Sequence, residues 1–174
     1  MRLIVAYVTA YFILSVAADA QIVALGASDV AGYGVWPHQA WSAQLEDMLK
    51  AKGYNVHVKN AGRPGDTPSG MLHRLNFAVP SGTKIVILDT VAAYDNNSKT
   101  TLASQQKGDA DINAIETKLK SRGITIIPAN SSVILHNPAF RYDNIHLNAS
   151  GHKELATRLL PLVISALGGH SPGG

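Results

Sequence analysis

The 174-residue chain contains no cysteine. Disulfides, thiol catalysis and Cys-based zinc sites are thereby excluded. Charge is also sparse: Asp, Glu, Lys and Arg make up 16% of the residues, and the formal net charge of +3 comes from scattered Lys and Arg. With no basic run and no basic strip interleaved with aromatics, the chain lacks the footprint of a nucleic-acid binder. Its histidines, His38, His57, His73, His136, His152 and His170 among them, show no His-x-x-x-His or His/Asp cluster spacing, so no metal and no other cofactor is expected. No glycine-rich phosphate loop follows the first strand-like segment, and no Gly-x-Ser-x-Gly elbow is present.

What is present suits a packed protein. Hydrophobic residues make up 46% of the chain, and its length fits one domain with a single active site. The first twenty residues stand apart: Arg2 supplies a positive charge, Leu3 to Val16 are almost wholly apolar, and Ala18-Asp19-Ala20 has small residues where a signal peptidase reads. Residues 1–20 are therefore expected to be a signal peptide, 21–168 the folded domain and 169–174 a frayed Gly/Pro tail. Such a protein is exported to the periplasm or beyond and has no stable membrane insertion after cleavage. The apolar stretch is short for a membrane anchor.

Strand and helix signals alternate through the domain. Gln21 to Leu25, Tyr54 to Val58, Lys84 to Leu88 and Ile124 to Ile127 read as strands. Between them, Trp41, Leu45, Met48 and Leu49 recur at helical spacing before Gly53, Leu72 and Leu75 mark a short helix, and Ile112, Ile115 and Leu119 mark another closed by Gly123. The last helix is expected to start near Asn148 or Ser150, to carry Leu155, Leu159, Leu162 and Leu167 on its buried stripe, and to tolerate Pro161. This alternation predicts an α/β fold, a three-layer α/β/α sandwich on a parallel, flavodoxin-like sheet. Ligands of such sheets bind beyond the carboxyl ends of the strands, where the loops at Gly26, Asn60–Pro68, Asp89–Asn97 and Asn130–His146 gather.

Three segments in those loops bear chemistry. Ser28 follows the first strand in Gly26-Ala27-Ser28-Asp29; taken alone, such a serine is more often a turn or cap residue than a nucleophile. Asp143 and His146 lie three positions apart before the last helix. A serine hydroxyl becomes a good nucleophile when an imidazole accepts its proton and a carboxylate fixes that imidazole's tautomer, and this pair offers both groups; an isolated pair would read as a turn cap and a surface histidine. Asn60-Ala61-Gly62-Arg63-Pro64-Gly65-Asp66-Thr67 includes Gly65, either a turn glycine or a bare N–H donor to developing oxyanion charge.

Gly-Ala-Ser, Asn-Ala-x-x-x-Gly-Asp-Thr and Asp-x-x-His-x-Asn, in that order, resemble the sequence blocks of the SGNH, or GDSL-like, serine hydrolases over residues 21–167. The resemblance implies a serine esterase cleaving carboxylic esters or thioesters of small molecules, lipids or glycans. It makes Ser28 the nucleophile, His146 the general base and Asp143 its orienting carboxylate. Ser28 and Gly65 become N–H donors of the oxyanion hole. Ala27 stands where the family usually has Asp. After Leu88 the usual Gly-x-Asn-Asp is replaced by Asp89-Thr90-Val91-Ala92-Ala93-Tyr94-Asp95-Asn96-Asn97. A gap-free match puts Ala93 at the position of the third donor; a longer loop brings Asn96, or else Asn97, into that role. Losing one donor costs about a hundred- to a thousandfold in turnover.

The altered block motivates an alternative, a weakened member of the fold that binds an acyl or glycan ligand. The α/β-hydrolase fold is disfavoured by Gly-x-Ser-x-Val and by the closeness of acid to base. A flavodoxin-like phosphate binder ranks last because it lacks the loop.

Overall fold

The computed structural model describes residues 20–91, 93 and 101–168. The leader up to residue 19, the tail 169–174 and the candidate donors Asn96 and Asn97 lie outside the described residues.

Four strands form one sheet: β1 (Ala20–Gly26), β2 (Val56–Gly62), β3 (Thr83–Leu88) and β4 (Thr125–Pro128). Their order is β2-β1-β3-β4 and every pairing is parallel. Parallel strands covered on both faces read as continuous apolar runs, as β1 does. Its period of two sends Ile22 and Ala24 into one core and Val23 and Leu25 into the other. On the first face α2 (Trp41–Ala51) and the long C-terminal helix (Ala149–Ala166) lay Trp41, Leu45, Leu49, Leu155, Leu159 and Val163 against the sheet. Two short helices, Pro68–His73 and Leu75–Ala78, cover the other face with the helix Leu102–Ser121, through Met71, Leu75, Ile112, Ile115 and Leu119. The three layers are those expected from the alternation.

Two expectations are corrected. β2 starts at Val56 and runs on through Asn60, Ala61 and Gly62, residues read from sequence as loop. Pairing with β1 as far as Gly26↔Gly62 outweighs the turn preference of Asn and Gly there. Leu162 is half exposed, and Val163 is buried in its place. The buried stripe of the last helix advances by four residues, from 155 to 159 to 163. Each step turns about 400°, so Leu162 falls to the side. Asn148 caps this helix as expected, its Oδ1 accepting from Gly151 N–H at 2.9 Å. No described helix is long and apolar enough to cross a membrane.

One turn into the same helix, His152 is fully buried, and its Nδ1 accepts the N–H of Trp41 at 3.3 Å. Burial disfavours the imidazolium and lowers the pKa from 6.5 to about 4. The unfolded chain therefore binds a proton at mildly acid pH that the folded chain refuses. Stability falls as pH drops from about 6.5 towards 4 and levels off below that. Between pH 7 and pH 4 the wild type should lose about 3 kcal/mol more unfolding free energy than His152→Gln, as read from urea titrations. Parallel losses in the two proteins would refute this role.

Candidate active site

The strand register brings the carboxyl ends of the sheet to one level: Gly26 faces Gly62, and Leu25 faces Leu88. The chain leaves β1 towards β2 on one side and returns to β3 on the other, so the β1/β3 boundary is the switch point where open parallel sheets take ligands. Ser28 sits directly above it. It opens a one-turn helix, α1 (Ser28–Ala31), whose first N–H groups have no acceptor within the helix.

Gly62 fixes where this turn lies. A Cβ on Gly62 would stand 2.1 Å from Ala31 N and 2.5 Å from Val30 C, so β2 passes directly against the backbone of α1. Asn60 fastens the same contact, donating through Nδ2 to Val30 O at 2.7 Å and to Ser42 Oγ at 3.1 Å. Arg63 N–H then donates to Gly26 O at 3.2 Å, holding the Gly65 loop beside the Ser28 turn. Gly65 is exposed with φ +74, a left-handed conformation that favours glycine. Asp66 is buried and structural: its Oδ2 accepts Arg74 Nε at 2.6 Å, its Oδ1 accepts Thr67 N–H at 3.0 Å, and Arg74 reaches on to Gly26 O. Arg63 lines a different cleft, with Arg74 and Phe77.

Asp143 and His146 arrive from the other side on a tight loop. Tyr142 N–H donates to His146 O at 2.8 Å, and an antiparallel bridge joins Arg141 to Leu147. Asp143 Oδ1 accepts the N–H groups of Ile145 and His146, both at 2.8 Å, while Oδ2 lies 2.8 Å from His146 Nδ1. One carboxylate thus caps the turn and also orients the ring. The imidazole bond is the main reason why Asp143 titrates below the usual carboxylate range. With Nδ1–H given to Asp143, Nε2 is the acceptor for Ser28 O–H, and Ser28 Oγ lies 3.1 Å from it. Ser28 and His146 are 118 positions apart in sequence. Tyr33 covers the ring, centroid to centroid 4.5 Å at 35°.

The structure therefore brings Ser28, Asp143 and His146 into one hydrogen-bonded chain, with the Gly65 loop tethered beside it. It does not bring in Ala93, which is buried in the core and whose methyl group donates nothing. Among the described residues no cluster of three or more His, Cys, Asp or Glu is placed to hold a metal. A cleft of about 480 Å³ opens beside the site between Gly34–Trp36, Gln39, Asn148 and Ala149. Trp36 lines this cleft and is largely exposed, Tyr33 lies on His146, and Phe140 packs against the core.

Sequence reasoning passed over Asn60 and Asp29. Asp29 adjoins Ser28 and is 1% exposed. A charged residue within the apolar stretch from Ile22 to Ala31 was the available signal.

A parallel three-layer sandwich with serine, imidazole and carboxylate meeting at its switch point has the fold of the SGNH, or GDSL-like, hydrolases. The similarity is structural: no family model and no curated protein matches the sequence. The psychrotrophic esterase EstA from Pseudoalteromonas sp., inhibited by monoethylphosphonate, superposes with a TM-score of 0.72 at 16% identity, over 86% of this chain and 99% of that one. The acetyl xylan esterase AlAXEase gives a TM-score of 0.67 at 16% identity, over 83% and 100%. A protein described as lipolytic and of the G-D-S-L family, from Desulfitobacterium hafniense, gives 0.68 at 15% identity, over 83% and 99%.

Proposed function

We propose that this protein is a serine esterase that cleaves carboxylic ester or thioester bonds through an acyl-enzyme on Ser28. The observation that carries this reading is the relay itself, with Ser28 Oγ 3.1 Å from His146 Nε2 and His146 Nδ1 2.8 Å from Asp143 Oδ2. The esterase activities named for EstA and AlAXEase support it.

In this mechanism Oγ attacks the carbonyl carbon as its proton passes to Nε2. Asp143 stabilises the imidazolium, and the N–H groups of Ser28 and Gly65 receive the oxyanion. Collapse of the tetrahedral adduct expels the alcohol or thiol, which takes the proton from Nε2. Water repeats the sequence on the acyl-enzyme, losing its proton to Nε2, and releases the acid and free Ser28. No cofactor takes part.

A fluorophosphonate probe tests the assignment, and the phosphonate inhibition of EstA motivates that choice. One probe should attach per chain, on the peptide holding Ser28, and attachment should vanish in Ser28→Ala and fall steeply in His146→Ala. A folded protein that takes up no label would be a binder of the weakened kind. The burial of Ala93, which a gap-free match puts at the third donor's position, favours that second reading. Export belongs to the proposal through the apolar segment Leu3–Val16 and Ala18-Asp19-Ala20. The mass of the secreted protein should correspond to a chain starting at Gln21.

A further inference from the structure

Asp29 lies next to Ser28 in sequence yet points away from solvent, with 1% of its surface exposed. Its Oδ1 accepts the N–H of Leu147, the residue after His146, at 3.1 Å. This buried bond joins the side chain of the residue following the nucleophile to the backbone following the base, across 118 positions of sequence. Leu147 is itself fully buried in the core. Its N–H has no route to water, so the bond cannot be exchanged for a solvent one without opening the site.

The surroundings of Asp29 are poor for a charge. Its Oδ2 is buried with no hydrogen-bond partner among the described residues, and the same holds for Oδ2 of Asp89. Asp89 stands at the end of β3, with its N–H on Leu25 O at 2.9 Å. Its other oxygen accepts Ser131 Oγ at 3.0 Å and Val91 N–H at 3.1 Å. Among the described residues no Lys or Arg pairs with Asp29. The titratable groups acting on it are Asp89, His146 and Asp143. Two buried carboxyls side by side cannot both ionise cheaply, and burial penalises each.

We propose that Asp29 is a positioning residue that clamps the His146 segment onto the Ser28 turn and does so as a neutral carboxylic acid, whose ionisation in this buried place costs the fold stability. The direction of its titration agrees: burial, with the charge of Asp89 added, raises Asp29 from 3.8 to about 7, and burial raises Asp89 as well. The sign follows from linkage. The unfolded chain gives up this proton near pH 4 and the folded chain only near 7, so the stabilisation is complete below pH 4 and is lost as pH rises to 7. The inference rests on the esterase reading only for its activity readouts; the clamp and its protonation are tested without it.

The test compares the full chain with Asp29→Asn, which keeps an oxygen for Leu147 N–H and carries no charge, and with Asp29→Leu, which keeps the bulk and accepts nothing. At pH 4 the wild type and Asp29→Asn should have the same Tm to within about 2 °C. At pH 8.5 Asp29→Asn should be the more stable by about 5 °C or more. At a fixed pH of 6, hydrogen exchange at Leu147 N–H should stay slow in Asp29→Asn and speed up at least tenfold in Asp29→Leu. With a p-nitrophenyl ester at that pH, kcat of Asp29→Asn should stay within about threefold of wild type, while Asp29→Leu loses tenfold or more in kcat with KM little changed. A Tm difference independent of pH would overturn the neutral form. An Asp29→Asn variant as slow in turnover, or as unprotected at Leu147, as Asp29→Leu would overturn the clamp. If Asp29→Leu does not fold, the Asn variant is read against wild type: Leu147 exchange or turnover altered tenfold in Asp29→Asn overturns the clamp, and values within threefold uphold it. Absence of fluorophosphonate labelling in the wild type would defeat the esterase reading and leave the Tm and exchange results standing.

Discussion

Ser28→Ala should lower kcat/KM for a p-nitrophenyl short-chain ester by about 10⁴-fold or more while leaving Tm within about 2 °C of wild type. The size follows from what remains. Among the described residues Ser28 Oγ is the hydroxyl bonded to His146 Nε2, so its loss leaves no group placed to attack an ester. Tm should hold because, among the described residues, Oγ bonds to the imidazole alone. His146→Ala should cost about as much, and the double variant no more than either single one, because nucleophile and base act as a unit. Asp143→Asn keeps the oxygen that caps the turn but sets an amide against Nδ1, favouring the wrong tautomer, and about 10⁴-fold is expected there as well. Activity within tenfold of wild type in Ser28→Ala would remove Ser28 from the mechanism.

Gly62→Ala should lower kcat by about a hundredfold and lower Tm by about 5 °C, although Gly62 touches no substrate. The added methyl would lie 2.1 Å from Ala31 N, 2.5 Å from Val30 C and 2.6 Å from Ala31 Cα. These are backbone atoms and cannot swing aside. β2 is held in register with β1 up to this residue, so α1 must move instead, by about an ångström, and Ser28 moves with it. Overpacking of this kind costs about 1–3 kcal/mol in stability, and an ångström of misplacement costs about a hundredfold in rate. Gly65→Ala is the contrast. Its methyl would meet nothing within 4 Å, and its N–H survives, so the cost is the left-handed backbone, about 1 kcal/mol. Turnover there should stay within a few-fold. Equal effects at the two glycines, or wild-type kinetics in Gly62→Ala, would show that this contact does not position the nucleophile.

The fold was legible because its signals are local. Ile22 to Leu25 form a strand buried on both faces, and an uninterrupted apolar run of that length states as much. Asn148 states a helix start through its own side chain. The errors fell where a distant partner overruled a local preference. Asn60 to Gly62 look like a turn, yet β1 supplies partners for them, and which of Leu162 and Val163 is buried follows from the face that the packed sheet selects on the last helix.

The chemistry of the site divides in the same way. Asp143 and His146 are three positions apart, so a single loop can hold them, and the residues of the relay and their order were readable from the chain. Two features were not readable. Whether Ser28 meets His146 depends on a register that levels the ends of β1, β2 and β3 and on a glycine that admits the backbone of α1. The role of Asp29 depends on burial beside Asp89 and on the N–H of Leu147. Residue type and spacing state which groups can transfer a proton, because that capacity belongs to each side chain. Their distances and the polarity around them belong to the packed interior, where residues more than a hundred positions apart become neighbours, and only the tertiary structure decides these.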